Sequence, residues 1–184
     1  LGIMAAGAAK GVTPLAGGTN LIVDMRAGRE RPVRVVGLGK IDELRGIVCD
    51  GDRISVGGRT TVADLLYSPE IAAAGPSLVE AARLFAGQMV RNAATVGGNI
   101  ACGSPAADLV PPLLSLDAEV TLVNGSGTRS VPLDEYFLGY KRDLRGQDEL
   151  ITRVSWRRPV ERSANASYEL ARRKGDAGRR ARHA

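Results

Sequence analysis

The 184-residue chain is 44% hydrophobic and 24% charged, values that support a globular core and exclude a disordered chain, a collagen and a disulfide-stapled miniprotein. Its net charge of +5 lies in the last fourteen residues, ARRKGDAGRRARHA, where six Lys/Arg meet one acid. The preceding 170 residues are therefore neutral and carry no field of the size that nucleic-acid binding needs.

Cys49 and Cys102 stand apart, with no CxxC or Cys/His cluster, so the chain offers no zinc or iron–sulfur site and reads as carrying reduced thiols. No apolar run approaches the length of a membrane span, and the LGIMAAGAAKG start lacks the basic stretch of a signal peptide. A cytoplasmic protein without a membrane span is expected. A first residue of Leu1 points to a natural N-terminus further upstream.

Residues 1 to 10, rich in Ala and Met, read as the end of a helix. In VTPLAGGTNLIVDMRAG an apolar piece meets a Gly-Gly turn, and periodicity leaves LIVDM open between a strand and a short helix. VRVVG at 33 to 37 and RISVG at 53 to 57 predict strands. TVADLL at 61 to 66 predicts a helix with Thr61 as N-cap. SLVEAARLFA at 77 to 86 predicts another, with Ser77 as N-cap and Glu80 three residues on. Leu78, Ala81, Ala82 and Phe85 then share one apolar stripe. PPLLSL at 111 to 116 looks helical, and AEVTLV at 118 to 123, residues 128 to 132 and ITRVSW at 151 to 156 predict antiparallel strands.

Two Gly-Gly segments carry the chemistry: Ala16-Gly17-Gly18-Thr19-Asn20 and Thr95-Val96-Gly97-Gly98-Asn99. Adjacent glycines let successive backbone N–H groups converge on an anion without Cβ obstruction, and the flanking Thr and Asn add donors for phosphate oxygens. A plain tight turn is the commoner reading of any single Gly-Gly, and two such segments with matching Thr and Asn do not by themselves reverse it. Gly37-Leu38-Gly39-Lys40 is followed by Ile41 and lacks P-loop spacing, and no GxGxxG follows a strand. A nucleotide site here would be neither P-loop nor Rossmann.

The segments PLAGGTNLIVDMRAG, GGRTTVADLL and QMVRNAATVGGNIACGSPAADLVPPLLSLDAEV, followed by DELITRVSW and YELARRKGD, together resemble the flavin-binding subunit or domain of the molybdenum hydroxylases. That is the family of aerobic carbon monoxide dehydrogenase and xanthine dehydrogenase. The resemblance spans about residues 1 to 176. It implies an α+β fold of two FAD-binding subdomains, a first with a small parallel sheet at 1–56 and a second with a mostly antiparallel sheet at 57–176. It further implies that the FAD pyrophosphate lies on Leu15, Ala16, Gly17, Gly18, Thr19, Asn20 and Leu21. Thr95, Val96, Gly97, Gly98, Asn99 and Asp108 would contact the cofactor, and Phe85 and Ile151 would lie near it. Beside these roles, Phe85 reads equally as core, Asp108 as a helix N-cap, and Cys102 as a small buried residue. Arg91-Asn92 reads either as organising the second segment or as a surface pair.

The function implied is electron transfer: electrons pass from iron–sulfur clusters through FAD to a final acceptor, in a heterotrimer with a molybdenum-cofactor large subunit and a two-iron two-sulfur small subunit. No general base for substrate conversion is visible in the sequence. Two alternatives remain, a self-contained flavoenzyme of the same fold, which needs a substrate domain, and a truncated, cofactor-free fragment. After ARRKGD the sequence departs from the family's continuation. A disordered basic tail at 177–184, no family C-terminal domain, a 151–156 strand lacking one partner and a weakened FAD site are therefore expected.

Overall fold

The computed structural model describes residues 11–159 and two short strands near the C-terminus. The first strand, β1 (Val12–Leu15), leads through the first Gly-Gly turn into α1 (Leu21–Arg26), so LIVDM is helical. β2 (Arg34–Gly37) returns parallel to β1, pairing Val12 with Arg34 and Leu15 with Gly37. A 3-10 turn at Asp42–Leu44 then leads to β3 (Ile47–Asp50) and β4 (Arg53–Gly57).

Five helical segments follow: α2 (Val62–Tyr67), α3 (Pro69–Ala74), α4 (Pro76–Leu84), α5 (Gln88–Ala93) and α6 (Val96–Ala101). Next come α7 (Val110–Leu114), the hairpin β5 (Glu119–Val123) and β6 (Thr128–Pro132), α8 (Leu133–Tyr136), and the small hairpin β7 (Phe137–Gly139) and β8 (Arg142–Asp143). The long strand β9 (Leu150–Arg157) closes the larger sheet. β10 (Glu169–Leu170) and β11 (Arg179–Arg180) pair antiparallel with each other. Arg179 and Arg180 fall inside the tail expected to be disordered, yet are paired as a strand; the rest of that tail and the expected helix at 1 to 10 lie outside the described residues.

The larger sheet is antiparallel, in the order β3-β4-β9-β5-β6. Its core face follows from the period-2 pattern of β4 and β5, which buries Ile54, Val56, Val120 and Leu122 and turns the alternate residues outward. Because the strands are in register, Val56, Val154, Val120 and Val131 lie opposite one another across four strands, and Ile54 lies opposite Trp156. Residues opposite each other share a face and pack directly, and all six belong to the main core cluster. Helix α6 packs on β9 and β4, and α8 on β5 and β6. The Trp156 indole N–H donates to the Ala74 carbonyl at 3.1 Å, tying the sheet to the end of α3. Among the described residues no helix is long and apolar enough to cross a membrane.

Three further expectations change. First, β9 has hydrogen-bonded partners on both edges, so the 151–156 strand lacks none; it is the middle strand of the sheet. Second, β3 and all of β4 but Gly57 fall before the expected 56/57 division yet are hydrogen-bonded into the larger sheet. Third, the capping box lies elsewhere. Pro76, with its fixed φ, occupies the first turn of α4 and Gly75 the cap, which leaves Ser77 inside the helix, buried, with no hydrogen-bond partner for its hydroxyl. The reciprocal pair is instead Thr61 and Asp64 at α2: Thr61 Oγ1 accepts from the Asp64 amide at 3.1 Å, and Asp64 Oδ2 accepts from the Thr61 amide at 2.9 Å.

Around β1 and β2 the packing is thinner, since α1 buries no residue and the strands are at most half-buried. What joins this unit to the larger sheet is a second small cluster, Leu38, Leu44 and Leu150, with Ala16 and Ile41 packed against it.

Candidate functional site

The first Gly-Gly turn leaves β1 at Leu15 and enters α1 at Leu21. Gly18 has φ +72°, a left-handed conformation that favours glycine, and a Cβ there would lie 2.9 Å from Ile22 Cγ1. The Gly18 and Asn20 carbonyls are used, accepting from the amides of Ile22 at 3.0 Å and Asp24 at 2.9 Å. Among the described residues nothing accepts from the amides of Gly17, Gly18, Thr19 or Asn20. Leu15 to Thr19 and Leu21 are half-buried and Asn20 is exposed. Four successive amides thus stand in a partly sheltered turn with no acceptor among the described residues.

The second segment is built differently. Val96 to Ala101 are the helix α6, with Thr95 as N-cap, so Gly97 and Gly98 stand in a first helical turn and not in a loop. Every amide from Val96 to Asn99 is engaged inside the protein. Val96 N–H donates to the Thr60 carbonyl (3.0 Å), Gly97 N–H to Gly58 (2.8 Å), Gly98 N–H to Thr95 Oγ1 (3.2 Å) and Asn99 N–H to Thr95 (2.9 Å). The anion nest expected at this segment is therefore absent, because its donors are consumed by capping and by the neighbouring 57–60 turn. Its glycines serve close approach: a Cβ on Gly97 would sit 2.8 Å from the Gly58 carbonyl oxygen, and one on Gly98 2.8 Å from Thr95 Oγ1. Thr95, Val96 and Gly97 are buried; Gly98 is exposed and Asn99 half-buried. Asn99 Oδ1 accepts from the Leu109 amide at 3.1 Å, fixing the turn that carries the half-buried Asp108.

The two segments meet. A Cβ on Gly17 would fall on the Ala93 carbonyl, so the first turn lies directly against the end of α5, one residue before Ala94 and Thr95. Ala94 in turn accepts from the Val62 amide at 2.9 Å, and Thr61 bridges Thr95. A third pair, Gly57-Gly58, completes the junction. Gly57 abuts the Leu44 carbonyl, and a Cβ on Gly58 would lie 2.5 Å from the Ile151 carbonyl oxygen. The sequence signals this pair only as a third Gly-Gly, followed by Arg59 and then by Thr60 and Thr61.

Phe85 and Ile151 both belong to the main core, at 8% and 5% exposure, and the Ile151 carbonyl lies against Gly58. Arg91 donates through Nη1 to the Phe85 carbonyl at 2.9 Å and the Ala86 carbonyl at 2.8 Å, holding the turn in which Ala86 has φ +37°. Arg91 thus organises the turn ahead of α5 and not the second segment for which that role was weighed, and Asn92 is exposed. Cys102 is half-exposed and donates to the Asn99 carbonyl at 3.0 Å.

The junction is braced electrostatically at Asp64. Partial burial pushes its carboxyl up, but the bidentate Arg45 contact at 3.0 and 3.1 Å and the bonds from Thr61 outweigh this and hold it below the usual carboxylate range. No group of three metal-ligating side chains exists among the described residues. A cavity of about 460 Å³ at the opposite end of β9, lined by Arg53, Asp117, Glu119 and Trp156 among others, shares no residue with the junction.

A family profile for the FAD binding domain in molybdopterin dehydrogenase matches residues 2–156. The chain is 35% identical over 162 residues to the carbon monoxide dehydrogenase medium chain of Hydrogenophaga pseudoflava, covering 88% of this chain and 56% of that one. It is also 35% identical over 163 residues to the nicotinate dehydrogenase FAD-subunit of Eubacterium barkeri, with 87% and 55% covered. Among solved structures it matches carbon monoxide dehydrogenase from Hydrogenophaga pseudoflava, with a TM-score of 0.91 and 32% identity over 96% of this chain and 63% of that one. Quinoline 2-oxidoreductase from Pseudomonas putida 86 matches with a TM-score of 0.88 and 27% identity. The chain therefore belongs to the family of FAD binding domains of molybdopterin dehydrogenases. Its fold is the expected α+β arrangement and its cofactor is FAD. It spans about half the length of the curated relatives it matches.

Proposed function

We propose that this chain is the FAD-holding, electron-transferring subunit of a molybdenum-containing hydroxylase or dehydrogenase. One observation carries the reading: four successive amides, Gly17 to Asn20, with no acceptor among the described residues, beside a junction so close-packed that glycine is needed on both sides. These residues fit the pyrophosphate of FAD, a dianion that convergent backbone N–H groups bind without side-chain charge. Leu15, Ala16 and Leu21 frame the turn. Gly98 and Asn99 present the accessible part of the second segment, Thr95, Val96 and Gly97 hold it in place, and Asp108 is carried beside it by the Asn99–Leu109 bond. Phe85 and Ile151 lie near the cofactor. In this reading β1, α1 and β2 belong to a first FAD-binding subdomain and the larger sheet to a second.

When bound, FAD supplies the redox chemistry, taking electrons from iron–sulfur clusters of a small partner subunit and passing them to a final acceptor. The protein's part is to bind and orient it. Substrate oxidation belongs to a molybdenum-cofactor large subunit, and the three chains form a heterotrimer in the cytoplasm. Support comes from the relatives' own designations, a medium chain, an FAD-subunit and, for a third at 33% identity, a dehydrogenase complex subunit alpha. Titrating the 184-residue chain with FAD tests the reading, because binding should quench flavin fluorescence and raise the melting temperature. A chain that leaves both unchanged refutes it.

A further inference from the structure

We infer that Arg59 is a positioning residue for the pyrophosphate turn, holding it in register with the second Gly-Gly segment; the inference rests on the FAD reading above. Arg59 Nη1 donates to three backbone carbonyls at once, Leu38 at 3.1 Å, Gly39 at 2.5 Å and Ile41 at 3.1 Å. The side chain is only 14% exposed. The carboxylate paired with it, Asp42, stands 4.0 Å away and is itself 97% exposed. The guanidinium is thus a sheltered cation held mainly by carbonyl dipoles, an arrangement that fixes backbone more than it neutralises charge.

The backbone it fixes is the 38–41 turn, and that turn sets the end of β1. Leu38 N–H donates to the Leu15 carbonyl at 2.8 Å, and Leu38 belongs to the small cluster against which Ala16 packs. Gly17 follows immediately. On its other side Arg59 sits in the turn that receives α6: Gly58 accepts from Gly97, Thr60 accepts from Val96, and Arg59's own amide donates to the Leu44 carbonyl at 2.7 Å. A single residue therefore links the turn bearing the Gly17 to Asn20 amides to the segment facing it.

Three measurements on the 184-residue chain test this. Arg59→Met should weaken FAD binding about tenfold or more, the scale of one charge-assisted hydrogen bond, and leave the affinity for riboflavin, which has no phosphate, within about twofold. Arg59→Lys should restore most of the FAD affinity, because an ammonium brings three N–H donors to three carbonyls. In the cofactor-free chain, hydrogen exchange at the Leu38 and Ile41 amides should quicken in Arg59→Met. Equal FAD affinity in wild type and Arg59→Met overturns the inference, as does a parallel loss of FAD and riboflavin affinity or unchanged exchange at both amides. A wild-type chain that binds no FAD overturns instead the reading on which the inference rests.

Discussion

Gly17→Ala adds one carbon where there is no space for it. The new Cβ would lie on the Ala93 carbonyl, with the Ala93 carbonyl carbon at 2.5 Å and the Ala94 nitrogen at 3.2 Å, against an ordinary separation of about 3.5 to 4 Å. Both neighbours are backbone, so the first turn and the end of α5 must part by about an ångström or more, and the amides of Gly17 and Gly18 move with them. A hydrogen bond to a charged group contributes about 1.5 to 3 kcal/mol. Misdirecting two such bonds costs about 3 to 6 kcal/mol, or roughly two to four orders of magnitude in FAD affinity. The main core contains no residue of this turn, so overpacking should lower the stability of the cofactor-free chain by only about 1 to 3 kcal/mol. Fluorescence titration with FAD, paired with denaturant unfolding, separates the two effects. A variant binding FAD within about threefold of wild type would refute the placement of the pyrophosphate on this turn.

Ile54, fully buried opposite Trp156, should destabilise the chain by about 2 to 5 kcal/mol when replaced by alanine, read as a lower denaturant midpoint with an unchanged slope. Thr61→Ala removes the capping hydroxyl of α2 and should cost about 1 kcal/mol, visible in the same unfolding curves. Glu149 is held below the usual glutamate range, first by its two hydrogen bonds from Arg129, against a smaller opposing effect of burial, with the Gly146 amide adding to the lowering. A carboxylate with a depressed folded pKa contributes stability above its unfolded pKa of about 4.3 and loses it as pH falls through the lower folded value. Glu149→Gln should therefore be less stable than wild type at pH 7 and converge on it in acid; equal stability at both pH values would contradict the assignment.

Where local chemistry decides the backbone, the sequence was legible. The β-branched runs at 33 to 37 and 53 to 57 are strands because their side chains suit a pleated, half-buried surface, and Thr61 caps α2 because its hydroxyl reaches an orphan amide. The first Gly-Gly turn was readable for a similar reason, since Gly18 takes the left-handed region that glycine favours. TVGGN was not readable as a helix, because two glycines disfavour one by about 1 kcal/mol each. What decides there is a tertiary contact: only glycine at 97 lets α6 approach Gly58. Ser77 and Glu80 have the spacing of a capping box, yet the preceding proline takes the first turn and draws the serine inward. Arg59 resembles any surface arginine in the sequence, since the carbonyls it gathers come from a turn about twenty residues upstream.

The middle position of β9 has a consequence for how the chain acquires its structure. Its partners lie far back along the chain: Ile54 pairs with Trp156 and Val120 with Val154. As the polypeptide leaves the ribosome, β3–β4 and β5–β6 can each close as a local hairpin, but two-stranded ribbons are at best marginally stable alone. They remain two fragments with bare edges at β4 and β5 until the 150s have been synthesised, and both edges are then covered in one event. Joining segments about a hundred residues apart makes the ordering cost of loop closure fall before most of the core can form. The nascent chain thus passes through a stage with two open strand edges available to the wrong partners, and β9 is the piece that ends it.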